Sequence, residues 1–147
     1  MEWPKLSEQD QNLISFYSEE LDFQIPDQTS FEDWLLQIAE SEEQTIESLS
    51  YIFCSDDYLW KKNKKYLDHD TLTDIITFQY SNSPISGDVF ISIERVAENA
   101  KKFDVDFMHE LKRVIAHGLL HLCGYKDKTD EDKMLMRKKE EKYIQVY

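Results

Sequence analysis

Asp74-Ile-Ile-Thr-Phe-Gln-Tyr-Ser-Asn-Ser-Pro-Ile-Ser-Gly-Asp-Val-Phe-Ile-Ser-Ile93 is the stretch that decides the fold class. Asp74 to Tyr80 and Gly87 to Ile93 are dense in β-branched and aromatic residues, and Ser81 to Ser86 between them is turn chemistry, so the segment reads as two antiparallel strands. Two more strands lie upstream. Asn12 to Glu19 alternates Leu13, Ser15 and Tyr17 against Ile14, Phe16 and Ser18, and Leu49 to Cys54 is a short apolar run. Helical patterns fill the rest. Thr29 or Ser30 caps a helix whose apolar positions Phe31, Trp34, Leu35, Ile38 and Ala39 follow helical spacing, and Ser55 or Asp56 caps another running to about Tyr66. Glu94 to Phe103, Phe107 to Cys123 and Asp130 to Tyr143 read as three more. The sum is an α+β fold: a small mixed four-stranded sheet packed with about five helices, in a single catalytic domain spanning 1–147.

At 41% hydrophobic and 13% aromatic residues, the chain carries enough apolar material for the core of one domain. No run approaches the roughly 20 apolar residues of a membrane span. Met1 to Asp10 lacks the basic-then-apolar pattern of a secretion signal, so a cytoplasmic protein without a membrane partner is expected. Cys54 and Cys123 sit in apolar runs and read as buried free thiols. The 17 basic and 30 acidic residues leave a formal charge of −13, which opposes non-specific attachment to nucleic acid or acidic lipid. Binding RNA would need a local basic surface. Two runs offer one, Lys61, Lys62, Lys64, Lys65 and Arg137, Lys138, Lys139, Lys142, although each taken alone also suits a solvated helix face.

Chemistry concentrates in Val114-Ile-Ala-His-Gly-Leu-Leu-His-Leu-Cys-Gly-Tyr-Lys-Asp127. On a helix His117 and His121 stand about 40° apart around the axis and about 6 Å apart along it, so both imidazoles reach one ion. Gly124 is placed to end the helix in a left-handed conformation and turn the chain back, which makes Asp127 the third ligand. Three protein ligands with an open fourth position describe a catalytic site, zinc first, with nickel or iron(II) also suited to two histidines and a carboxylate. Position 118 is Gly where metalloproteases carry the Glu that serves as general base, so peptide hydrolysis by that route lacks its proton acceptor. The glycine either leaves space beside the ion for a bulky substrate such as a phosphodiester or lets a neighbouring backbone pack closely. His109 falls about 80° round the helix from His117, outside the ligand face, and is expected on the surface.

These residues resemble the YbeY family of single-strand-specific metallo-endoribonucleases. The family signature His-Gly-x-Leu-His-Leu-x-Gly-Tyr-Asp-His is matched by His117-Gly-Leu-Leu-His-Leu-Cys-Gly-Tyr125 and then departs at Lys126-Asp127. Upstream, Leu-Asn-x-x-Tyr-Arg…Thr-Asp-Val-Leu-Ser-Phe is answered by Lys62-Asn-Lys-Lys-Tyr-Leu67…Thr73-Asp-Ile-Ile-Thr-Phe78, and the family's Gly-Asp by Gly87-Asp88. The resemblance covers about the last two-thirds of the chain. It implies a zincin-like metal-binding helix, a groove for single-stranded RNA beside the strand at Thr73 and Asp74, and work on ribosomal RNA with the small ribosomal subunit as partner. Maturation of the 16S rRNA 3′ end and ribosome quality control are the processes it implies.

Two departures bear on the chemistry. Asp127 stands where the family has a third histidine, which lowers the charge of the metal site by one and makes a water there less acidic. Leu67 stands where the family has an arginine suited to phosphate, which leaves Lys64, Lys65, Arg95 or Arg113 to serve the substrate, with His69 either a substitute or an exposed loop residue. Asp88 is either a hydrogen-bond partner behind a ligand histidine or a turn residue beside Gly87. Two other functions fit the same residues. One is another metal-dependent hydrolase, such as a peptidase with a different base, and the other is a ribosome-assembly factor whose metal is structural.

Overall fold

Alternation along the central strand sends Leu49, Tyr51 and Phe53 into one core and Ile52 and Cys54 into another, so the sheet is covered on both faces. The computed structural model describes residues 13–67 and 73–147; Asn12, at the expected start of the first strand, and His69 lie outside them. Strands β1 (Ile14–Ser18), β2 (Ile46–Cys54), β3 (Ile75–Asn82) and β4 (Ile85–Ser92) form one sheet in the order β1-β2-β4-β3. β1 and β4 both run parallel to β2, and β3 pairs antiparallel with β4. The described residues also form five helices: α1 (Gln28–Ser41), α2 (Asp56–Leu67), α3 (Ile93–Phe103), α4 (Phe107–Leu122) and α5 (Asp130–Gln145). This is an α+β fold with a mixed four-stranded sheet, as expected.

Element ends differ from expectation where a pairing partner outweighs local preference. Turn chemistry marked Ser81 to Ser86 as a loop, yet the β3–β4 ladder continues to Asn82 opposite Ile85 and leaves Ser83 and Pro84 at the tip. β2 starts at Ile46, not Leu49, because Ile46 finds its own partner in Ile85. α1 begins at Gln28 behind Asp27, and Thr29 and Ser30 fall inside its first turn, where the Ser30 hydroxyl donates back to Asp27 Oδ2 at 2.7 Å. Ser55 does cap α2, its Oγ accepting from the Tyr58 amide at 3.1 Å. Cys54 is buried and free, while Cys123 is free but half-buried at the end of α4. No helix among the described residues is long and apolar enough to cross a membrane.

α4 is the helix on which the larger core closes, with Leu111, Val114, Ile115, Leu119, Leu120 and Leu122 all buried. Two glycines let it sit close to the sheet. A Cβ on Gly118 would lie 2.8 Å from Val89 Cγ1 and 3.2 Å from Ile75 Cδ1, and a Cβ on Gly87 would lie 2.8 Å from the Phe78 carbonyl and 3.3 Å from both Leu122 methyls. Gly118 therefore serves packing against strand side chains rather than open space at the ion, and the neighbour is side chain rather than backbone. Hydrogen bonds fix the same contact. The Tyr51 hydroxyl donates to the Ile115 carbonyl at 2.8 Å, and Gln79 Nε2 donates to the Leu122 carbonyl at 2.8 Å. α5 lies against α4, held to α1 by Trp34 Nε1 donating to the Tyr143 carbonyl at 2.8 Å.

The backbone oxygen facing Gly87 has no room to yield, so Gly87→Ala should lower unfolding free energy by about 1–3 kcal/mol, the usual cost of overpacking. Urea denaturation checks this, and a variant as stable as the parent would contradict the close-approach account.

Candidate functional site

The C-terminal half of α4, β3 and α5 enclose a cavity of about 430 Å³. Its floor is Ile75 and Thr77 of β3, on the sheet face that α4 covers, with Val114 and Met136 beside them. Thr73, Asp74, Arg113, His117, His121, Asp127 and Arg137, all singled out from sequence, stand on its wall, joined by Lys133 and Glu140.

His117 and His121 are there because they are one turn apart on α4. The helix then stops. Gly124 takes a positive φ of 111°, and the Tyr125 amide donates to the Leu120 carbonyl at 3.1 Å, closing the turn and sending the chain back over the histidines. Asp127 Oδ2 arrives 3.4 Å from His117 Nε2. Behind the ring, His117 Nδ1 is 2.7 Å from Oε2 of Glu140, which is 1% exposed. A carboxylate at Nδ1 draws the ring proton there and leaves the Nε2 lone pair facing Asp127.

The donor set suits a metal ion by that geometry. Two donor atoms each about 2.1 Å from one ion at the tetrahedral angle are about 3.4 Å apart, which is the spacing of the Nε2–Oδ2 pair. No three His, Cys, Asp or Glu side chains among the described residues close tightly enough to form a complete ion-binding group. His117 and Asp127 are the assembled pair, and His121 lines the cavity beside them. Desolvation of its ring, then His117 beside it, pull His121 below its ordinary pKa, which favours the neutral imidazole that coordination needs.

Arg113 is engaged from several sides. Its Nε and Nη2 meet Glu110 Oε1 and Oε2 at 3.0 and 2.6 Å, Nη1 meets Glu140 Oε1 at 3.1 Å, and Nη2 lies 3.7 Å from Asp74 Oδ2. Burial alone would pull the guanidinium down, but the bonds to Glu110 and Glu140 outweigh it and hold it above its ordinary value. Asp74 goes the other way from most salt-bridged carboxylates. Burial pushes its pKa up, and the opposing charges of Arg113 and His117 do not cancel the shift.

Other residues singled out from sequence are placed elsewhere. Asp88 pairs with Phe78 on the opposite face of the sheet, where its Oδ2 accepts from the Tyr80 hydroxyl at 2.8 Å, so it neither backs a ligand histidine nor lines the cavity. Lys64 and Lys65 are exposed on α2, which packs on that same far face, with Lys64 Nζ 5.1 Å from the Trp60 ring. Arg95 is bound by Asp56 and Glu98 at 2.8 Å each. His109 is exposed, as expected, and the side chain of Leu67 lies outside the description. Arg137 comes from one of the two basic runs, while Glu140 and Lys133 are not singled out by sequence. Their signal is the spacing 133, 136, 137, 140, which puts Met136 and all three on one face of α5.

The loop carrying Asp127 has its own anchor. Glu42, just past α1, accepts from the Tyr125 hydroxyl at 2.6 Å, from Lys139 Nζ at 3.0 Å and from the Tyr143 hydroxyl. Burial pushes the Glu42 carboxyl up, but these donors more than offset it and hold its pKa below the ordinary value. A lowered native pKa means the contribution to stability is complete above the ordinary carboxylate range and is lost as pH falls through the lowered value. Parent protein should therefore lose stability relative to Glu42→Gln on acidification below about pH 4.5, and equal acid profiles would count against this anchor. Removing the buried carboxylate behind the histidine, in Glu140→Ala, should cost about 3–5 kcal/mol because Arg113 and His117 lose a shared partner. Chemical denaturation measures it.

Comparison with known proteins gives one consistent result. The family model described as Endoribonuclease YbeY matches residues 13–147. A Flavobacterium johnsoniae protein named Endoribonuclease YbeY is 52% identical over 92% of this chain and 97% of its own length. One of the same name from Parabacteroides distasonis is 39% identical over 90% of this chain and 94% of its own. A solution structure of a Thermotoga maritima protein superposes with a TM-score of 0.64 at 26% identity, covering 90% of this chain and 87% of that one.

Proposed function

The chain belongs to the Endoribonuclease YbeY family, and on that premise we propose that it is a metal-dependent endoribonuclease that hydrolyses phosphodiester bonds of single-stranded RNA. The observation that carries the reading is His117 Nε2 and Asp127 Oδ2, 3.4 Å apart on the wall of a cavity of about 430 Å³, with Glu140 orienting the ring from behind. His117, His121 and Asp127 would hold the ion, zinc first, with nickel or iron(II) also compatible with the donors. A bound ion supplies Lewis-acid activation of the phosphoryl group and of the attacking water.

The chain's own residues do the rest. Glu140 orients the His117 ring through Nδ1, and Arg113 balances the charges of Glu110 and Glu140. Asp127 is committed to the ion and Glu140 to Arg113 and His117, which leaves Asp74 as the wall carboxylate to take the proton from water. Burial raises its pKa, which makes it a stronger base than an ordinary carboxylate. Thr73 sits beside it at the entrance. The biological setting we propose is cytoplasmic: maturation of the 16S rRNA 3′ end and quality control on the small ribosomal subunit.

Elemental analysis of protein purified without added metal should find one ion per chain. His117→Ala and His121→Ala should lose both the ion and cleavage of single-stranded RNA, by more than the ~10–100-fold that altering a residue behind a ligand costs. Asp74→Asn should keep the ion and lower kcat by about 10²–10⁴. Full cleavage by either histidine variant refutes the assignment. Stoichiometric metal without any cleavage would instead favour the assembly-factor reading, and cleavage of peptides but not RNA would favour a peptidase.

A further inference from the structure

Resting on the reading of the cavity as an RNA site, we propose that Lys133 and Arg137 of α5 form its phosphate-binding rim, each taking one backbone phosphate of a single strand. They stand one helical turn apart, about 6 Å along the axis. Both line the cavity together with Met136 and Glu140, but those two are buried and the cations are exposed above them. α5 therefore presents an inner apolar and acidic edge to the core and an outer basic edge to whatever enters.

Charge accounting favours these two over the remaining cation on the wall. Arg113 already meets Glu110 and Glu140 through three nitrogens and lies 13% exposed, so little of its guanidinium is left for a phosphate. Among the described residues Arg137 makes one loose ion pair, 3.8 Å from Nε to Glu140 Oε1, and Lys133 makes none. The wall also carries Asp74, Asp127 and Glu140, in a chain of net charge −13. A phosphodiester entering past three carboxylates needs cations, and Lys133 and Arg137 are the exposed ones on the lining, committed at most to one loose ion pair. A flexible ammonium and a planar fork suit non-specific backbone contact, which predicts little preference among bases.

The test uses a fluorescent oligouridylate, with cleavage rates and binding anisotropy followed across salt concentrations for the parent, Lys133→Gln, Arg137→Gln and the double variant. Lys138→Gln, a neighbour in the same basic run but outside the cavity, and Lys101→Gln, an exposed position of α3 away from it, are the controls. Each single variant should raise KM and Kd by roughly 3–10-fold, with kcat changed less than about twofold and metal content unchanged. The double variant's slope of log affinity against log salt should be shallower by about 1.4, the loss of two single-strand phosphate contacts. An unchanged slope, or an equal effect from either control, overturns the rim. Were the parent to bind RNA without cutting it, the cleavage reading would fall while the anisotropy slopes still decided the rim.

Discussion

The depth at which α4 lies on the sheet is the constraint on which the rest depends. With Gly118 against Val89 and Ile75, and Gly87 against Leu122, helix and strand meet with no side chain on one partner at two points one helical turn apart. A Cβ at Gly118 would lie 2.8 Å from Val89, and one at Gly87 would crowd both the Phe78 carbonyl and Leu122. His117 and His121 overlook Ile75 and Thr77 because of that contact, and Asp127 reaches His117 because the helix then ends where the Gly124 turn begins. The Tyr51 and Gln79 hydrogen bonds to helix carbonyls set the sliding position once the glycines have set the height.

Around this contact the protein concentrates charge that would be costly if left unpaired. Glu110 and Glu140 are almost wholly buried, and a single guanidinium meets both. The arrangement adds little net stability over an apolar core of the same shape. What it provides is direction: the Glu140 carboxylate divides between Arg113 and His117, and so settles which imidazole nitrogen points into the cavity. Glu42 plays a comparable part for the loop beyond, gathering Tyr125, Tyr143 and Lys139 from two later segments.

Much of this was legible from residue order because periodicity is a local property. The five helices and four strands announce themselves through spacing, and the His117–His121 pair through the helical turn. Gly124 signals the reversal that brings Asp127 round. What escaped depends on partners distant in sequence. Ile46 and Ile85 extend two strands because they pair with each other, and no window around either shows it. Gly118 was open between space and packing until Val89 was seen facing it. Glu140 sits in a run of lysines and glutamates that looks like a solvated helix, and its importance comes from a histidine 23 positions earlier. Asp88 is a different case. Strand parity places it on the face opposite Thr77 and Ile75, so alternation alone was enough to separate it from the cavity.

The separation of 23 positions between His117 and Glu140 also sets an order in time. A growing chain makes Arg113 and His117 well before the carboxylate that joins them, so until α5 docks, the imidazole has no fixed tautomer and the guanidinium lacks one of its two buried counterions. Docking the last helix and readying the histidine are thus one event. Without α5 in place, α4 and the sheet lack the carboxylate that orients the histidine, so the donor depends on a helix that carries no ligand itself.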